Sequence, residues 1–132
     1  MHDKDSDDEF LAALEDTTLP LSAFDHRAHV WAGYLYLARH GLGGAIERFG
    51  TVLKRFAAAN GKQGLYHETI TVAFLALINE HRAAHPADRW ADFAAANPEL
   101  LNRNTLTRFY APEELASAEA RKVFMLPRRR VA

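Results

Sequence analysis

His26 and His29, in the segment Phe24-Asp25-His26-Arg27-Ala28-His29, and His67 with Glu68, in Tyr66-His67-Glu68-Thr69, are the residues whose types and spacing could do chemistry. They fall in stretches that otherwise read as buried helix, where an imidazole without partners costs roughly 1–3 kcal/mol. Imidazole nitrogens with a carboxylate suit a borderline divalent cation such as Fe(II), Mn(II) or Zn(II). Helical bundles build such centres from inward-facing His and Glu one turn apart. His26, His29 and His67 are therefore the expected metal ligands, with Glu68 as fourth ligand or as a general base beside His67, and an open position for water or substrate. Tyr36, Tyr66 and Thr71 are expected to line the pocket. No organic cofactor is indicated.

Two other readings use the same groups. In one, a neutral histidine acts as base without a metal and Glu68 orients it, as in a lyase or isomerase. In the other, the histidines form a buried hydrogen-bond network in a non-catalytic bundle that binds a ligand or another protein. His67 and Glu68 are adjacent, so their side chains diverge by about 100° and reach one ion only at a frayed helix start. Otherwise Glu68 orients a histidine from outside the coordination sphere, or simply answers the dipole of the first helical turn. His26 beside Asp25 also fits an N-terminal hydrogen-bonding cluster capped by Ser22 or Asp25.

The elements that must position these residues read as helices throughout. Ala, Leu, Glu and Arg dominate and alternating strand-like stretches are missing, which predicts an all-α compact helical bundle. A first helix spans about Asp7 to Asp16, with Ser6 as cap and Glu9 three residues on. The second runs from about Phe24 to His40 and stops at Gly41 and Gly43-Gly44. The third, about Ala45 to Ala59, turns Ile46, Phe49, Val52, Leu53 and Phe56 to one face and ends at Asn60-Gly61. The fourth and most apolar, about Tyr66 to Ala84, should be central. Shorter pieces, Ala87 to Ala96, Pro98 to about Arg108 and Pro112 to about Met125, cap the three long core helices, with proline opening the last two.

On the second helix His26 and His29 lie about 4.5 Å apart along the axis, whereas His40 lies about 21 Å from His26 and cannot share its site. Short loops make successive helices antiparallel, so the second and fourth should run parallel. That brings His26, His29, His67 and Glu68 to one end of the bundle, and His40, His81 and His85 to the other. His81 and His85 have metal-like spacing, but they occupy a last turn where exposed histidine is favoured for structural reasons.

Composition bounds the rest. A chain of 132 residues fits one domain able to bury about two thirds of its unfolded surface, with residues 1–6 and 127–132 expected as flexible ends. Cysteine is absent, which removes disulfides, thiolate metal sites and thiol nucleophiles. Ser6, Ser22 and Ser117 sit in cap-like positions outside any G-x-S-x-G context. No apolar run approaches the roughly 18 residues of a membrane span, and the acidic N-terminus is unlike a signal sequence, so a cytoplasmic location is expected. Net charge is −1; acids crowd the first sixteen residues while Arg121, Lys122, Arg128, Arg129 and Arg130 crowd the end. A near-neutral domain gains little from releasing counterions, so a nucleic-acid partner is not expected. The hydrophobic fraction of 48% permits a homodimer face without demanding one.

Phe24-Asp25-His26-Arg27-Ala28-His29-Val30, Tyr66-His67-Glu68-Thr69-Ile70-Thr71 and Leu106-Thr107-Arg108-Phe109-Tyr110-Ala111-Pro112-Glu113-Glu114-Leu115 together resemble a group of small bacterial all-helical proteins of unassigned function. The resemblance runs from about residue 8 to residue 126. It implies a soluble bacterial protein and carries no activity across; the basic ending Pro127-Arg128-Arg129-Arg130 lies outside it. The leading functional expectation is a small metalloenzyme acting on a small organic molecule through the His/His/His/Glu centre.

Overall fold

The computed structural model describes residues 3–128. Among them every regular element is helical: α1 (Asp3–Glu15), α2 (His26–Ala59), α3 (Glu68–Ala84), α4 (Trp90–Ala96), α5 (Pro112–Leu115) and α6 (Ala118–Lys122), with short 3-10 turns between. The all-α reading therefore holds.

α2 is two helices joined without a loop. Gly41 alone leaves helical geometry, at φ 72° and ψ 178°, a conformation open to glycine at little steric cost. Gly43 and Gly44 stay helical, so one residue, and not the expected Gly41–Gly44 loop, reverses the chain. The limb 26–40 and the limb 42–59 then pack side by side. Phe24 lies 5.3 Å from Phe56 and Tyr36 lies 5.4 Å from Phe49, ring centre to ring centre. Early residues of one limb thus meet late residues of the other, as in any antiparallel hairpin.

α3 packs against the first limb. A Cβ on Gly33 would sit 3.1 Å from Ile78 and 3.3 Å from Leu75, so glycine lets the two backbones approach closely. His26 packs on Phe74 and Gly33 on Ile78, so numbers rise together and the helices run parallel, as expected. The core of Val30, Leu37, Phe49, Leu75 and Ile78 is buried between these three helical rods.

α1 begins at Asp3, four residues earlier than expected, and lies along the first limb of α2. Phe10 stacks on Trp31 at 3.9 Å between ring centres. The Trp31 indole donates to Asp7 Oδ1 at 2.9 Å, Tyr36 Oη donates to Glu15, and Arg39 pairs with Asp8 at 2.6 Å. The acidic N-terminal segment is thus spent on aromatic donors and an arginine of its neighbour. The predicted helices after Pro98 and Pro112 are shorter. Residues 98–108 form two 3-10 turns separated by an Asn102-to-Asn104 turn. Ser117 interrupts the last helix by accepting from Ala120 N, which restarts it as α6. Residues 123–128 are not helical, and the segment is tied to α3: Thr69 Oγ1 donates to Val123 O and accepts from Met125 N.

Candidate functional site

Asp25 caps α2 by accepting from Ala28 N at 2.9 Å, which fixes His26 as the first helical residue and His29 one turn on. The His26 ring lies against Phe74, and its Nε2 donates to Leu100 O at 3.0 Å. Burial lowers its pKa below the usual histidine value, with the Leu100 bond opposing and Arg103 reinforcing the shift. His26 is thus a neutral tie between α2 and the 3-10 turn at Pro98–Leu101.

His67 is the N-cap of α3, which begins at Glu68, two residues later than the expected start at Tyr66. Its Nδ1 accepts from Ile70 N at 3.1 Å and its Nε2 donates to Leu115 O at 2.7 Å. The two bonds define the tautomer, proton on Nε2 and lone pair on Nδ1, and they occupy both nitrogens. Glu68, in the first turn, points elsewhere: its Oε1 accepts from Tyr66 Oη at 2.6 Å. That bond, added to burial, raises the Tyr66 pKa well above the usual phenol range.

The four expected ligands therefore occupy three separate places. Among the described residues no group of three or more His, Asp or Glu side chains is arranged to hold a metal ion. Register separates His26 from His67: the first limb of α2 and α3 run parallel, but His26 stands beside Phe74, seven positions beyond His67, or about 10 Å along the axis. His29 shares a cavity with His67, whose two nitrogens are already bonded. Two of the expected lining residues, Tyr66 and Thr71, share a cavity with His29 and His67; Tyr36 is on the other flank, bonded to Glu15. His81 is held through Nδ1 by Asn97 Oδ1 at 2.8 Å and Glu99 Oε1 at 3.2 Å, a structural use of that histidine.

His29 differs from the other two. Its ring rests between Phe24 and Phe49, at 5.4 and 5.2 Å between ring centres, and neither ring nitrogen makes a hydrogen bond to a described residue. Burial, reinforced by the neighbouring His26, pushes its pKa down to about 4, so it is a neutral imidazole at neutral pH. The part of the ring not covered by the two phenyl groups lines a cavity of about 270 Å³.

No protein-family model, curated protein or solved structure matches the chain. The chemistry of the cavity is therefore read from its own walls. The second limb of α2 contributes Leu53, Phe56 and Ala57; the start of α3 contributes Ile70 and Thr71; two 3-10 turns contribute Leu21 and Leu65. Lys62 is the one lining residue that carries a charge at neutral pH, and no carboxylate lines the cavity. Leu21 and Leu65 are 42% and 65% exposed, so the mouth is apolar and open. Sequence reasoning missed Leu21, Leu53, Phe56, Lys62 and Leu65. The available signal was an apolar side chain set in each of two connections, Leu21 after Pro20 and Leu65 after Gly64.

No helix among the described residues is long and apolar enough to cross a membrane.

Proposed function

We propose that this protein is a non-catalytic binding bundle that takes one small, largely apolar molecule into the cavity between the two limbs of α2 and the start of α3. The observation that carries the reading is His29: a half-buried imidazole whose ring makes no hydrogen bond to a described residue, lining an apolar cavity of about 270 Å³. A neutral imidazole offers one N–H donor and one lone pair, enough to orient a ligand that carries a single polar group. The volume is near the lower edge of the roughly 300–1,000 Å³ usual for ligand sites, which suits a single ring or a short branched chain. His26 and His67 serve the scaffold, tying α2 and α3 to the backbone of the C-terminal third.

The catalytic readings have less behind them. A metal centre needs free imidazole nitrogens, and His67 has spent both of its own. An acid–base enzyme works best with a base whose pKa lies near the working pH; His29 is pushed to about 4, and no carboxylate in the cavity is placed to raise it. Titration of the ¹⁵N-labelled full chain with indole, phenol and cyclohexanol tests the proposal. Amide shifts should concentrate at Leu53, Ile70 and Thr71, and the replacement Ala57→Phe should abolish them by filling the cavity. Uniform or absent shifts at millimolar ligand across all three compounds would overturn it.

A further inference from the structure

We propose that the molecule bound in this cavity is a small apolar monocarboxylate, its anionic end held at the mouth by Lys62 and its far end lying against His29. This rests on the cavity being the binding site. Lys62 is exposed and lines the mouth beside Leu65. It forms no ion pair with a described residue, and no acidic side chain shares the cavity wall.

Its backbone is fixed. Gly61 takes a positive φ of 66° just after α2, Lys62 N donates to Ala57 O at 2.8 Å, and Lys62 O accepts from Leu65 N at 2.9 Å. Lys62 thus leaves a hydrogen-bonded turn at the edge of an apolar cavity also lined by Leu21 and Leu65, whose exposed surface a ligand would cover. An apolar molecule with one negative end matches each of these features: its body removes the leucine surface from water, and its charge meets a cation that forms no ion pair with a described residue. An amine or a dianion does not. The first meets Lys62 as a like charge, and the second carries a charge into walls that offer no second cation.

Affinities of phenylacetate and 4-methylpentanoate, each compared with its neutral amide by calorimetry and NMR titration on the full chain, decide the matter. The expected result is that each acid binds at least about fivefold more tightly than its amide. Lys62→Met should erase that ratio. Lys62 is exposed, so the variant keeps the fold; the unfolding midpoint verifies this. With 4-hydroxyphenylacetate a further gain of about fivefold over phenylacetate is expected from a hydrogen bond to His29, absent in His29→Leu. Equal affinity for acid and amide, or a ratio that survives Lys62→Met, overturns this inference while leaving the cavity as a neutral-ligand site. No binding by any acid or amide overturns both.

Discussion

The flank where α1 lies on α2 and the end where the cavity opens are built from similar materials, yet they treat polar groups in opposite ways. On the flank, Trp31, Tyr36 and Arg39 each find an acidic partner on α1, and Phe10, Trp31 and Trp90 stack in sequence. At the cavity end the His29 ring has no hydrogen-bond partner among the described residues, Lys62 has no counter-ion there, and Leu21 and Leu65 stay exposed. A region whose hydrogen bonds are complete holds the fold together. A region that leaves an imidazole, an ammonium and two leucines unused has its capacity free for something else.

Phe49 belongs to both regions, touching Tyr36 on one side and His29 on the other, so its removal is the harshest way to break the contrast. It is 1% exposed, and Phe49→Ala should cost about 3–5 kcal/mol in urea unfolding. The His29 pKa should also climb from about 4 toward the usual value as water reaches the ring, which histidine-detected NMR titration follows.

The second effect is pH dependence confined to the cavity end. His29 titrates near 4 when folded and at 6.5 as a free side chain, so between those values the unfolded chain binds more protons and stability rises with pH. This contribution is complete above pH 6.5 and is lost as pH falls toward 4, up to about 3 kcal/mol in all. His29→Leu should flatten the slope over that interval while costing little at pH 7, because no hydrogen bond to a described residue is removed. A variant whose stability falls as steeply as wild type would show that other groups govern the acid limb.

His67 sharpens the same contrast from the scaffold side. His67→Ala removes a helix cap and leaves Leu115 O without its donor; at about 1 kcal/mol for the cap and 1–3 for the stranded carbonyl, a loss of about 2–4 kcal/mol is expected at neutral pH. Two histidines on the same cavity wall should therefore respond oppositely to replacement, the bonded one being costly and the unbonded one nearly silent.

Much of this architecture was readable in the residues themselves. The helical period marked α1, both limbs of α2 and α3, the Gly41 break was written at the right place, and short connections implied that the first limb and α3 run parallel. Register was not readable. Parallel helices can slide by whole turns with similar burial of their apolar stripes, and the slide that was realised sets His26 against Phe74 and not against His67. Nor does a histidine before Glu-Thr-Ile reveal that it caps a helix, because His is uncommon in that role compared with Ser, Thr, Asp or Asn. The cavity escaped notice for a third reason: its walls come from five elements, and its mouth from loop residues that periodicity ignores.

The smallest effect belongs to the flank and completes the comparison by its indifference to ligand. Arg39 and Asp8 form a close pair, but their side chains are 38% and 50% exposed, so water and salt screen the attraction. Arg39→Ala should shift the unfolding free energy by no more than about 1 kcal/mol, and by less as salt is raised. Tyr36→Phe removes a single hydroxyl donor to Glu15 and should cost about 1 kcal/mol. Neither residue lines the cavity, so both variants should bind phenylacetate with wild-type affinity although each is less stable than wild type. A loss of affinity in either would mean that α1 communicates with the cavity through Phe49, the ring that Tyr36 and His29 share, and the division between scaffold and site would have to be redrawn around that phenyl group.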